Sequence, residues 1–188
     1  LQRLTLQLDG PASVQIHTSG LRYLRIRGCR ALDLDAPWIR HLDLRLPLTR
    51  DRPCNPLARV HAPRLAHLEL ELPWVPDPAS AVALGAVLAG LPLRSLLLQP
   101  VEVGAIDRLL ASGLLVQLER LELRSLRRDG LDRVLTDPAP FAHLELVLTV
   151  LSVPAEERRA LQEALREHVP RAVIKGQSYR ADGAYDSR

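Results

Sequence analysis

Residues 31–47 read ALDLDAPWIRHLDLRLP, and residues 57–73 read LARVHAPRLAHLELELP. The second phrase keeps the Ala-Pro pair, the His-Leu pair, the alternating leucines and the closing proline of the first, and exchanges most of its charges. A chain conserves spacing and apolar positions in this way when each copy does the same structural job against the next. The shared core, apolar-x-x-Leu-x-apolar, occurs at LQRLTL (1–6), LRYLRI (21–26), IRHLDL (39–44), LAHLEL (65–70), LRSLLL (93–98), LERLEL (118–123) and FAHLEL (141–146). Successive copies begin 20, 18, 26, 28, 25 and 23 residues apart.

Within each copy the fourth and sixth positions alternate with period two, as a strand with one buried face requires, and the first position closes the turn leading into it. One such unit cannot bury its leucines alone, but stacked units share a continuous core in which each touches only its neighbours. Full burial of a leucine contributes about 1.5–3 kcal/mol, so the inward column is where the fold is most sensitive. Leu44, Leu68 and Leu70 are expected to be buried between equivalent leucines on either side.

The connections change character along the chain. SVQIH (13–17) and ALDLD (31–35) alternate, and only 18 residues separate Leu21 from Ile39, which leaves little room for a packed helical crossover. A second strand on the outer side is expected there, carrying Val14, Ile16, Leu32 and Leu34. Helices are expected later: over 77–90, with Asp77 as N-cap, Pro78 next and Gly90 as the stop; over 103–113; and over 129–135. Residues 48–58, rich in Arg and Pro, read as an exposed loop. Residues 154–170 put Ala160, Leu161, Ala164 and Leu165 on one helical face and read as a C-terminal cap, followed by a short strand over 171–174.

At 188 residues and 47% hydrophobic, the chain has the length of one domain and enough apolar surface for a core. A single domain is expected over 1–175, with its cap at about 152–175 and a polar, mobile tail over 176–188. With no methionine and a leucine first, the chain reads as a piece of something longer, whose first unit needs cover from upstream residues. The longest apolar run, residues 81–93, is shorter than the ~20 residues a membrane helix needs, so no membrane partner is expected. All basic residues but Lys175 are arginine, and with the abundant Ala, Leu and Pro this fits a GC-rich coding sequence. Cys29 and Cys54 suit a reducing, cytoplasmic setting better than a disulfide framework.

The seven copies resemble the leucine-rich repeat family, whose units run L-x-x-L-x-L and then a turn residue, often Asn or Cys. The resemblance covers about residues 1–150 and points to an irregular, intracellular, bacterial-type member. It implies an α/β solenoid, a right-handed superhelix with a parallel sheet on its concave side, with a β-rich outer face early in the chain and helices later. It also implies a role in binding other macromolecules. The ninth positions, Asp9, Cys29, Pro47, Pro73, Val101, Leu126 and Thr149, depart from the family pattern at all but Cys29, so irregular curvature follows.

If positions four and six point inward, positions three, five and seven build the concave surface. The third column reads Arg3, Tyr23, His41, His67, Ser95, Arg120, His143; the fifth Thr5, Arg25, Asp43, Glu69, Leu97, Glu122, Glu145; the seventh Gln7, Arg27, Arg45, Glu71, Gln99, Arg124, Val147. Tyr23, Arg25, Arg27, His41, Asp43, Arg45, His67, Glu69, Glu71, Glu122 and Arg124 are therefore the candidate binding residues.

His41, Asp43, His67 and Glu69 have the side chains of a zinc or acid-base site. On an open, wet sheet they are more simply solvated surface pairs, so no metal, cofactor or catalytic role is assigned. No nucleophile elbow, phosphate-binding glycine loop or Cys-x-x-Cys occurs. Arg22, Arg25, Arg27 and Arg30 form one basic patch, and Arg120, Arg124, Arg127 and Arg128 another. Nucleic acid would call for stacking aromatics among them; only Tyr23 is near and the chain is 3% aromatic, so nucleic acid is disfavoured. The expected function is non-enzymatic: a protein-interaction or scaffolding module that takes a protein partner on its concave face. The alternative is a recognition or regulatory segment of a larger enzyme, effector or toxin-like protein.

Overall fold

The computed structural model describes residues 2–46, 57, 59–71, 85–179 and 185–187. Its centre is an open sheet of ten strands: β1 (Arg3–His17), β2 (Tyr23–Asp35), β3 (His41–Arg45), β4 (Arg59–His61), β5 (His67–Glu71), β6 (Ser95–Gln99), β7 (Arg120–Leu126), β8 (Glu145–Leu151), β9 (Val173–Tyr179) and β10 (Tyr185–Ser187). They are ordered β1-β2-β3-β5-β6-β7-β8-β9-β10, with β4 paired to β2 off this path. Every pairing is parallel except β9 with β10.

The leucine columns are in register as the spacing predicts. Leu42, Leu68 and Leu96 lie side by side, as do Leu44, Leu70 and Leu98, all nearly or fully buried. The backbone ahead of each strand is tied by a second ladder. The carbonyls of Gln2, Arg22, Arg40, Ala66 and Arg94 each accept the two amides at positions two and three of the following unit, at 2.7–3.2 Å. Parallel strands need such a repeated crossover geometry, and here each turn is fixed by the one before it.

The outer strands expected over 13–17 and 31–35 are present as the second halves of β1 and β2. The first half of β2 pairs with β3, and its second half, Asp33–Asp35, pairs with β4. Leu24 and Ile26 in one half and Leu32 and Leu34 in the other enter a single core, so the strand bends around it. Gly28 makes the bend: its φ is +80°, and a Cβ there would lie 2.8 Å from the Leu8 carbonyl oxygen.

Helices take over the crossovers later. Residues 85–89 are helical and Gly90 turns out of them; the expected N-cap Asp77 and Pro78 lie outside the described residues. Next come α1 (Val103–Ala111), α2 (Arg128–Thr136) and α3 (Ala155–Arg166). Ile106, Leu109, Leu131 and Val134 are packed into the leucine core, which places α1 and α2 on the leucine side of the sheet. In α3 the buried strip is narrower than expected: Leu165 is buried and Leu161 partly so, while Ala160 and Ala164 are exposed. Most of the expected loop over 48–58, with Cys54, lies outside the described residues; Leu57 is buried. The last strand is longer than expected, since β9 reaches Tyr179 and pairs with β10, so the boundary drawn at 175 falls inside a strand.

The seventh copy needs a correction. Glu145, not His143, lies opposite Arg120, and Val147 lies opposite Glu122. Phe141 and Leu144 are fully buried in the leading turn, where the Leu144 amide donates to the Phe141 carbonyl at 3.0 Å. Leu144, Leu146 and Leu148 alternate without a break, so a slip of two residues keeps the same face inward and the pattern alone leaves the register open.

Candidate functional site

The candidate residues stand on the parallel strands β2, β3, β5 and β7, facing away from the leucine core. Neighbouring strands run ~4.8 Å apart, so each column is a row of near neighbours. Tyr23, His41, His67 and Ser95 are in register, as are Arg25, Asp43, Glu69 and Leu97, and Arg27, Arg45, Glu71 and Gln99.

The third column is a stack. The Arg3 guanidinium lies 4.4 Å from the Tyr23 ring centre, Tyr23 lies 4.7 Å from the His41 ring, and His41 lies 5.9 Å from His67 at an interplanar angle of 27°. The fifth and seventh columns pair opposite charges. Arg25 donates to Asp43, Arg45 is paired with Glu71, and His41 Nε2 lies 3.3 Å from Glu69 Oε1. That last approach is off the N–H axis, so buried Nε2 gains an ionic neighbour and no linear hydrogen bond.

Local charge and burial tune these groups. The contact from His41 holds the Glu69 carboxyl below its ordinary range, against the opposing pull of burial. Burial raises Glu71, with Arg45 and Arg27 opposing. Burial also lowers His67, and the neighbouring His41 lowers it further.

The four residues with metal or acid-base character are thus divided. His41, His67 and Glu69 come together, while Asp43 is turned to Arg25. Among the described residues no group of three or more His, Cys, Asp or Glu side chains is placed to hold a metal ion.

Toward β8 the face closes. Glu122 is only 7% exposed, held by Arg124 at 2.7 Å and Arg120 at 3.3 Å; Val147, opposite it on β8, is buried, as are Thr149 on β8 and Gln177 on β9. The corrected register gives Arg120 a second partner, Glu145. Of the eleven candidates, those on β2, β3 and β5 form one partly open surface, and Glu122 with Arg124 belongs to this closed end. Surface depressions lie elsewhere, between Asp33–Asp35 and Arg59–His61, and where Arg127, Arg128 and Glu157 meet.

Sequence reasoning missed Trp38, which is 45% exposed with the Arg64 guanidinium 3.8 Å from its ring centre. The signal was available, since both residues follow the Ala-Pro pair in the two copies of the opening phrase. No helix among the described residues is long and apolar enough to cross a membrane. In comparisons with known proteins, no family model, curated protein or solved structure matches the chain.

Proposed function

We propose that the chain is a leucine-rich-repeat-type solenoid, cytoplasmic and non-enzymatic, that binds a protein partner on the polar face of β2, β3 and β5. The observation that carries this reading is the block of nine side chains formed by Tyr23, Arg25, Arg27, His41, Asp43, Arg45, His67, Glu69 and Glu71. They lie in register on three adjacent strands and are partly or fully exposed. A fixed, charge-mixed surface of this kind suits recognition: complementary charge sets orientation and association rate, while the rigid sheet keeps the ordering cost low.

The test is affinity capture followed by charge reversal. A variant carrying Asp43→Arg, Glu69→Arg and Glu71→Arg loses the captured partner. A control carrying Glu156→Arg, Glu163→Arg and Glu167→Arg, exposed positions on or next to α3, keeps it. Equal retention by both folded variants, checked by circular dichroism, removes the partner from the polar face.

A further inference from the structure

The two copies of the opening phrase place Trp38 and Arg64 at the same point in successive units, and the fold brings the Arg64 guanidinium carbon over the indole, 3.8 Å from its ring centre. Arg22 and Arg40 stand at position two of neighbouring units on the same edge of the sheet, where the strands begin. Their side chains are exposed, and neither makes an ion pair among the described residues. The backbone beneath them is fixed, because the Arg22 carbonyl accepts the Arg40 and His41 amides at 2.9 and 3.2 Å.

The carboxylates of the polar face nearby are already used, and the exposed Asp35, three residues before Trp38, lies on the outer half of β2 opposite His61. On the polar face Asp43 pairs with Arg25, Glu71 with Arg45, and Glu69 lies 3.3 Å from His41. Further along the same edge Arg94 is held by Glu119 at 2.9 Å. Arg22, Arg40 and Arg64 make a cationic stretch beside an exposed tryptophan, in a chain that is only 3% aromatic.

We propose that Arg22, Arg40 and Arg64, the last ordered by Trp38, dock an acidic segment of the protein partner. This rests on reading the chain as a protein-binding module, and it adds the chemistry of the partner. A guanidinium seated over an aromatic ring still has N–H donors to offer, and it loses less side-chain freedom when a carboxylate arrives. The fork of donors matches a carboxylate with two parallel hydrogen bonds. A protein is favoured over a single-stranded nucleic acid because most of the stacking faces are occupied. Tyr23 lies between Arg3 at 4.4 Å and His41 at 4.7 Å, His41 is stacked on His67, and Arg64 covers one face of Trp38. An exposed tryptophan beside arginines has the composition of an interface anchor.

The experiment is fluorescence anisotropy with a labelled oligoglutamate peptide, and with an oligothymidylate of equal charge as the competing probe. The wild type binds oligoglutamate more tightly than oligothymidylate. The Arg22→Glu/Arg40→Glu variant binds the peptide about tenfold or more weakly, and Trp38→Ala about threefold more weakly. The Arg127→Glu/Arg159→Glu variant, with the same change in net charge at other exposed arginines, stays within about twofold. Equal loss in both double variants reduces the effect to long-range charge and overturns the site. Tighter binding of oligothymidylate, lost in the edge variants, overturns the partner class. Absence of peptide binding overturns the inference even if capture of a partner still depends on Asp43, Glu69 and Glu71. Capture that depends on Arg22 and Arg40 but not on those carboxylates overturns the face and leaves the edge.

Discussion

His41 and His67 lie in register on β3 and β5 with their rings stacked, centroids 5.9 Å apart and planes 27° from parallel. Two neutral imidazoles pack well in this arrangement, and two imidazolium ions repel. Burial first, then His41 and Arg94, holds His67 below its ordinary value, with Glu119 opposing.

The sign of the pH dependence follows. Unfolded His67 takes up its proton at a higher pH than folded His67, so its contribution is full above the ordinary histidine range and is lost as pH falls from that range toward the folded pKa. Lowered Glu69 adds a loss at more acidic pH, and raised Glu71 opposes it there. The urea midpoint is expected to fall between pH ~7.5 and ~5.5, and less so in His67→Gln. An equal fall in both proteins would clear His67 of the effect.

Leu68 is 1% exposed and stands between Leu42 and Leu96 in the middle of the leucine column. Leu68→Ala leaves a cavity that neighbouring strands, pinned by their ladders, cannot close, and is expected to cost about 2–5 kcal/mol in urea denaturation. A loss below about half a kcal/mol, the range of a neutral surface change, would mean the column is not packed as described.

Gly28 sits at the bend of β2 with φ +80° and the Leu8 carbonyl oxygen 2.8 Å from where a Cβ would be. Gly28→Ala is expected to destabilise by roughly 1–3 kcal/mol through backbone strain alone. Gly113 also has positive φ, +69°, but has no heavy neighbour within 4 Å of a built Cβ. Gly113→Ala is therefore expected to cost less, and comparing the two denaturation midpoints separates close contact from backbone preference.

Glu122 is buried between Arg124 and Arg120. Glu122→Ala removes a carboxylate that accepts from both, with an expected loss of about 1.5–3 kcal/mol. Each arginine is about two-fifths exposed and can return to water, so Arg124→Ala is expected to cost about 1 kcal/mol or less. Chemical denaturation that ranks the two variants the other way would show that the arginine stem, not the carboxylate, holds this end of the face.

The sequence by itself determined the strand columns, because a one-residue slip would turn Leu42, Leu44, Leu68 and Leu70 to solvent. It also determined the outer strands at 13–17 and 31–35, where the residues alternate and the short unit between Leu21 and Ile39 left little length for a helix. The tertiary structure decided what period-two spacing cannot. The register of β8 moved by two residues because Leu144, Leu146 and Leu148 satisfy both alignments, and only the leading turn, with Phe141 buried in it, selects one. It also decided which charges are spent. The columns put Asp43 near both Arg25 and His41 and Glu69 near both histidines, and side-chain reach then assigned Asp43 to Arg25 and Glu69 to His41. Trp38 and Arg64 follow the same Ala-Pro pair in the two copies, and only the fold brings these equivalent positions of adjacent units into contact, since that proximity is set by the spacing of the strands and not by separation along the chain.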